Sequence, residues 1–249
     1  MRFVVILCLF LVIFAVSPPA RASNPLEVQQ ALSGTVLKLA DGSQGVLTGL
    51  FVPDAQQAAA QTALQKIIDA THPSIIPTGS PDRYGRWMVY GWRDGAGHVA
   101  QPERTLVQDG LAFVWPPVGD VPDLRALLKI ESEARKASRG LWQAGNDYAD
   151  LPADQPDTVL AHDGRFVFVT GKVLKAQRVK NKVYLNFGED WHTDFTIEIA
   201  AHDLRDFRHA GLDPEEDYTQ KNIRVRGWVI RDNGPMITVT NPAQIKILP

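Results

Sequence analysis

The sequence DRYGR at residues 82–86 is followed at once by the strand-like stretch WMVYGW at residues 87–92. Aspartate and glycine in this arrangement predict a tight turn that leads into a strand. The turn places two arginines at the rim of a sheet, and a guanidinium group binds phosphate through paired hydrogen bonds. The stretch therefore favours a phosphate site. Ion pairs of these arginines with Asp82, Glu131 or Glu133 are the structural alternative.

Two further motifs follow along the chain. The tripeptide GLA lies at residues 110–112, and a predicted helix that carries an EXXAR motif from Glu131 ends at GLW, residues 140–142. The three motifs in this order resemble the thermonuclease-like (micrococcal nuclease-type) family over residues 33–142. The resemblance implies a small Greek-key barrel of the oligonucleotide-binding (OB) type with packed helices. It also implies calcium-dependent hydrolysis of phosphodiester bonds, with nucleic acid as the substrate.

The same resemblance indicates that the catalytic set is incomplete. Active members use two arginines, two metal-binding aspartates and a glutamate, and the resemblance places Thr35, Val46 and Phe51 where one aspartate, one arginine and the other aspartate belong. Arg86 is retained as the second arginine, and Asp54 stands in the place of the glutamate. Losing one charged group aimed at the transition state costs on the order of a hundredfold in rate. No metal site and no cofactor are expected. Ca²⁺ is expected to bind only if the nuclease site functions.

The amino-terminal segment predicts export. A short charged start, an apolar run over residues 3–16 and the site Ala-Arg-Ala at residues 20–22 are typical of a cleavable secretory signal over residues 1–22. An uncleaved anchor is the alternative. The chain is therefore expected to be secreted or periplasmic, with no membrane-spanning segment after cleavage. Cys8, the single cysteine, lies in the removed run, which excludes disulfides and cysteine catalysis from the mature chain.

Composition and charge fit a globular protein of two modest domains. The chain has 249 residues, 45% hydrophobic residues and a net charge of -2. Because no global excess of positive charge exists, any binding of nucleic acid must come from local patches.

The predicted fold class is mainly β with helices (α+β), in two small Greek-key OB-type barrels. The thermonuclease-like domain is placed at residues 23–145 and the second OB-like barrel at residues 164–249. Between them, residues 146–163 are rich in Asp and Pro and are predicted to be a solvated linker.

Two helices are predicted in the first domain. Helical spacing over residues 54–70 places Ala58, Leu64, Ile67 and Ile68 toward the core. Asp123 is expected to cap the next helix, whose apolar face ends at Ala137.

The second domain carries a hairpin rich in cations, followed by aromatic residues. Cations beside exposed aromatic rings are typical of a barrel that binds single-stranded nucleic acid. A solvated hairpin whose aromatic residues fill the barrel core is the alternative. The predicted nucleic-acid-binding residues of both domains are Arg83, Tyr84, Arg86, Lys175, Arg178, Lys180 and Lys182.

The favoured function is therefore binding of nucleic acid or another polyanion outside the cytoplasm by a nuclease homologue with a degenerate site. A metal-dependent nuclease, a hydrolase acting through Arg86 and Asp54, is the enzyme alternative. A protein-interaction module of the cell envelope is the third.

Overall fold

The computed structural model describes residues 24–116 and 123–249. The predicted signal over residues 1–22 lies outside the described residues. The described chain combines β-sheets with a few helices, which confirms the predicted α+β class. Among the residues described, no helix is both long enough and apolar enough to span a bilayer.

The first half of the chain, residues 24–145, is built on one main sheet. Apolar and polar residues alternate along its strands, so that one face of the sheet packs against the core. The sheet order is β6-β3-β2-β1-β5-β7-β8, and β4 pairs separately with β9. The strands are β1 (Leu26–Ala31), β2 (Val36–Leu39), β3 (Gln44–Leu47), β4 (Leu50–Phe51), β5 (Ser74–Ile75), β6 (Arg86–Val89), β7 (Trp92–Arg93), β8 (Val99–Ala100) and β9 (Phe113–Val114).

Helix α1 (Gln57–Thr71) begins after a short 3-10 turn at Asp54–Gln56. Its buried face consists of Ala60, Leu64 and Ile68, which are spaced four residues apart. Ala58 is exposed, so its predicted core position is wrong, because it lies half a turn away from this stripe.

Helices α2 (Pro102–Gln108) and α3 (Leu124–Lys136) complete the first half. Asp123 precedes α3, but its backbone is left-handed (φ 61°) and its carboxylate contacts Gln101 Nε2 at 3.4 Å. The predicted side-chain cap is therefore wrong. Ala137 is exposed because it lies beyond the end of α3, whereas Glu131 is buried on the inward face.

The second half, residues 146–249, forms another mixed sheet. Its order is β10-β11-β15-β16-β14-β13-β12, with β17 on the side of β15. The strands are β10 (Asp150–Pro152), β11 (Phe166–Lys172), β12 (Lys175–Val179), β13 (Lys182–Asn186), β14 (Thr196–Ile199), β15 (Asn222–Asp232), β16 (Gly234–Thr238) and β17 (Ile245–Ile247). The helices are α4 (Pro156–Leu160), α5 (Leu204–His209) and α6 (Pro214–Asp217).

Strands β11 and β12 are separated only by Val173 and Leu174. Strand β11 pairs with β15 and strand β12 pairs with β13, so one bent segment of the chain pairs at two separate places in the sheet. A ring of ladders that closes a barrel is not found in either half within the described residues.

The segment 146–163 is structured rather than a solvated linker. Strand β10 pairs in parallel with β11, and Ala153 and Val159 are buried in the core of the second half. The acidic composition predicted a solvated linker, but Asp150 is neutralised by two arginines, Arg135 at 2.9 Å and Arg224 at 2.6 Å.

The two halves share a core of aromatic side chains. Phe113 of the first half stacks on Phe166 of the second, with ring centroids 5.3 Å apart, and contacts Phe168 edge-on at the same distance. A buried ion pair lies beside this core, where Arg226 Nη2 is 2.6 Å from Glu131 Oε2. Apolar and ionic contacts therefore join the halves directly.

Candidate functional site

The turn at residues 82–86 is held by one carboxylate. Asp82 Oδ1 accepts the N–H groups of Tyr84 and Arg86 at 2.9 Å each, and Oδ2 accepts Arg86 Nε and Nη2 at 3.0 and 2.8 Å. The backbone N–H of Arg86, and then its guanidinium, lower the pKa of Asp82. The guanidinium of Arg86 therefore has an internal partner in the turn itself, as the structural alternative expected.

Tyr84 projects from this turn with 64% of its surface exposed. The guanidinium carbons of Arg83 and Arg86 lie 4.7 and 5.0 Å from its ring centroid. These are cation–π distances, so the ring and the two cations form one surface feature. An exposed ring beside guanidinium groups can stack on a base and contact a phosphate.

Phe51 occupies the position that the resemblance gives to a metal-binding aspartate. Its ring contacts Phe166 at 4.9 Å and Trp228 at 5.0 Å, both in the second half, and stacks on Phe113 at 6.4 Å. An apolar ring in an aromatic core supplies no ligand for a hard cation. The side chain of Phe51 instead makes a contact between the two halves.

The remaining family positions do not restore a metal site. Val46 lies in β3 between Val36 and Met88 and carries no charge. Thr35 uses its carbonyl to accept the N–H of Leu47 at 2.8 Å. Asp54 is exposed at the start of the 3-10 turn.

The described residues contain no group of three or more His, Cys, Asp or Glu side chains arranged to hold a metal ion. Calcium needs six to eight oxygen ligands, usually including carboxylates. The residues present therefore do not fit the calcium ion that the nuclease family uses.

Residues 51–144 match the family described as Staphylococcal nuclease homologue. This confirms the thermonuclease-like resemblance for that stretch, which is less than half of the chain. The matched stretch includes Phe51, Asp54 and the turn at residues 82–86, whereas Thr35 and Val46 precede it. The match does not extend to the second half. No curated protein matches the chain.

Outside the nuclease-like stretch, a groove lies on the outer face of the second-half sheet, with a volume of about 360 Å³. Strand β13 buries Val183 and Leu185 and turns Tyr184 and Asn186 outward to form its floor. Trp191, in the loop after β13, and Asn233, at the tip of the β15–β16 hairpin, form its sides. We call this feature the outer-face groove.

The predicted cations of the second half are partly neutralised. Arg178 pairs with Glu215 at 2.5 Å, and Lys182 Nζ lies 2.9 Å from Glu198 Oε2. Within the described chain, Lys175 and Lys180 form no ion pair. The cationic hairpin therefore carries less free positive charge than its sequence indicates.

Glu198 also organises the floor of the groove. Tyr184 donates its hydroxyl to Glu198 Oε2 at 3.0 Å. Burial, followed by this hydrogen bond, raises the pKa of Tyr184, and the hydrogen bond to Glu198 raises the pKa of Lys182. Both side chains therefore hold their protons more tightly than they would in water.

The aromatic residues of this region divide between the two predicted roles. Phe187 is buried against Phe195 with centroids 5.0 Å apart, as the core alternative expected. Trp191 is 56% exposed, as a binding surface requires.

Sequence reasoning missed the amide side chains of the groove, Gln177, Asn186 and Asn233. The alternation along β13 places Asn186 on the face of Tyr184, which is a usable signal. Asn233 and Trp191 line the same groove because strands distant in the chain pair, which the sequence does not specify.

Proposed function

We propose that this chain is an exported protein with a nuclease-type fold that does not hydrolyse phosphodiester bonds and that binds nucleic acid or another polyanion. The observation that carries the loss of catalysis is the position of Phe51. Its ring packs into the aromatic core between the halves, where the family keeps a carboxylate for the metal.

The exposed cations and rings support the binding role. In the first half, Arg83 and the exposed ring of Tyr84 form the strongest such feature. In the second half, Lys175 and Lys180 add charges that have no acidic partner within the described residues. Phosphate contacts of this kind give an affinity that falls steeply as salt concentration rises.

A nuclease assay tests the catalytic part. Wild-type protein and an Arg86→Ala variant are incubated with single-stranded DNA and calcium, and product is followed with time. We expect no turnover above background in either protein. Turnover in the wild type that the variant loses would support the enzyme alternative, with Arg86 and Asp54 as its residues.

Binding to a single-stranded oligonucleotide, measured by fluorescence anisotropy over a salt series, tests the polyanion part. We expect Arg83→Ala to weaken binding several-fold and to lower the salt slope by about one. Lys136→Ala, at an exposed position at the end of α3, is the matched control and is expected to keep wild-type affinity.

A second candidate function is a protein-interaction module of the envelope. Ile76, Met88 and Val99 are exposed apolar residues around a groove of about 380 Å³ in the first half. Contiguous apolar surface of this kind marks interaction sites. Oligonucleotide binding that is absent or independent of salt favours this function.

The apolar run and the Ala-Arg-Ala site support export. Amino-terminal sequencing of protein recovered outside the cytoplasm is expected to begin near Ser23. Recovery of an intact amino terminus in the membrane fraction contradicts cleavage.

A further inference from the structure

Trp191 is presented to solvent by a loop whose backbone is fixed. The N–H of Asp190 donates to Asp194 Oδ2 at 2.8 Å, and the N–H of Asp194 returns a bond to the Asp190 carbonyl at 2.9 Å. The imidazole of His192 packs on the indole, with ring centroids 3.6 Å apart.

Gly188 permits this closed loop because a Cβ atom there would overlap the Asp194 carboxylate. The exposed ring of Trp191 therefore has a set position before any ligand arrives, which lowers the entropic cost of binding.

The outer-face groove offers amide groups beside this ring. Gln177 stands opposite Tyr184 in the β12–β13 ladder, and Asn186 lies further along the same face. Asn233, at the tip of the β15–β16 hairpin, lines the same groove. Asn186 Oδ1 accepts the Thr196 hydroxyl at 3.4 Å, and Asn233 Nδ2 donates to Asp232 Oδ1 at 3.3 Å. The remaining amide donors and acceptors can bond to a hydroxyl group, which both donates and accepts. Amides are thus matched to a ligand with many hydroxyl groups.

Lys175, opposite Asn186 in the β12–β13 ladder, has no ion pair among the described residues, but acidic side chains near the groove offset its charge, so the groove does not favour a phosphate backbone. Glu198 neutralises Lys182, and Asp232 lines the groove directly. The loop that carries Trp191 adds Glu189 and Asp190. A strand of nucleic acid needs net positive charge along its path.

From these observations we infer that the outer-face groove binds a neutral oligosaccharide, with one sugar ring on Trp191 and its hydroxyl groups on the amides. Apolar C–H faces of a sugar pack on an indole, as other apolar groups do. The inference goes beyond the polyanion binding proposed above and does not depend on it.

The test uses the exported chain and a panel of uncharged hexasaccharides: cellohexaose, chitohexaose, maltohexaose and laminarihexaose. Binding is measured by saturation-transfer NMR and by calorimetry at two salt concentrations. We expect at least one member to bind with an affinity that salt does not change. Trp191→Ala is expected to weaken it about tenfold or more, and Trp191→Phe less.

Two more variants separate a local effect from unfolding. Asn233→Gly removes an amide at a left-handed position (φ 62°) that glycine tolerates, and it should weaken binding several-fold. Leu32→Ala removes an exposed apolar side chain of the first half that belongs to neither proposed site, and it should leave binding unchanged. Circular dichroism establishes that each variant is folded.

Three results overturn the inference: no binding by any member of the panel, binding that Trp191→Ala leaves unchanged, or an oligonucleotide that competes for the groove in a salt-dependent way. Failure of oligonucleotide binding elsewhere would refute only the polyanion proposal, so the two failures are distinguishable.

Discussion

Glu103 is fully buried at the start of α2. Its Oε1 accepts the N–H of Gly91 at 2.9 Å, and among the described residues its Oε2 has no hydrogen-bond partner. Burial therefore raises the pKa of Glu103 from 4.5 to about 7. Below a pH of about 7, the protonated form of this side chain therefore predominates in the folded protein.

The raised pKa of Glu103 predicts a stability that falls with pH. The folded state binds more protons than the unfolded state between pH 4.5 and about 7. The contribution of Glu103 to the free energy of unfolding is therefore fully present below pH 4.5 and is lost as pH rises through about 7. The total loss is roughly 2–4 kcal/mol. Urea denaturation at several pH values measures this slope.

Glu103→Gln keeps the acceptor for Gly91 and cannot ionise, so it should remove the slope and stabilise the protein at pH 8. Glu133→Gln changes an exposed carboxylate of α3 and should keep the wild-type slope. An unchanged slope in Glu103→Gln would show that other groups cause it.

At the scale of elements, two of the motifs behind the family resemblance meet in space. Gly110 follows α2, and Gly140 begins the 3-10 turn after α3; the N–H of Leu141 donates to the Gly110 carbonyl at 2.8 Å. Gly110 has φ 67°, and a Cβ atom there would overlap the Arg139 carbonyl. The glycines of these motifs therefore serve the packing of the helix ends.

Gly110→Ala should reduce the free energy of unfolding by more than about 2 kcal/mol, because it combines a left-handed backbone with a collision. Gly97→Ala is the matched control. Gly97 also has a positive φ of 86°, but no atom lies within 4 Å of its added Cβ, so a loss of about 1 kcal/mol is expected. Chemical denaturation of both variants compares them, and equal losses would contradict the close packing.

At the scale of the whole molecule, the two halves are joined by a buried ionic contact. The side chains of Arg226 and Glu131 are only 10% and 5% exposed, and Arg226 Nη1 also donates to the Val114 carbonyl at 3.0 Å. Glu131 Oε1 accepts the N–H of Val114 at 2.8 Å. Arg226 of the second half therefore bonds to Glu131 and Val114 of the first half, and Glu131 also has a partner within its own half.

Removing one partner leaves the other charge buried, so Arg226→Met should destabilise the protein by about 3–5 kcal/mol. Arg178→Met breaks the exposed pair with Glu215 and should cost about 1 kcal/mol or less. Scanning calorimetry should show one cooperative transition in the wild type, because the halves share a core. Two separate transitions, with Arg226→Met as stable as Arg178→Met, would contradict a joined molecule.

How far the sequence predicts this protein depends on the range of the interaction. The turn at residues 82–86 forms as predicted because Asp82 bonds to groups within four residues. The predicted cations were identified by residue type, but the acids that neutralise Arg178 and Lys182 lie 37 and 16 residues away.

The sequence by itself determined the α+β class and the nuclease-like stretch, because these follow from local periodicity and from residue identity. Only the tertiary structure decided that Phe51 packs on Phe166, that Asp150 joins both halves and that Asn233 and Trp191 line one groove. Contacts between residues far apart in the chain depend on how whole sheets pack. Composition shows that a residue is acidic but does not show which cation it pairs with.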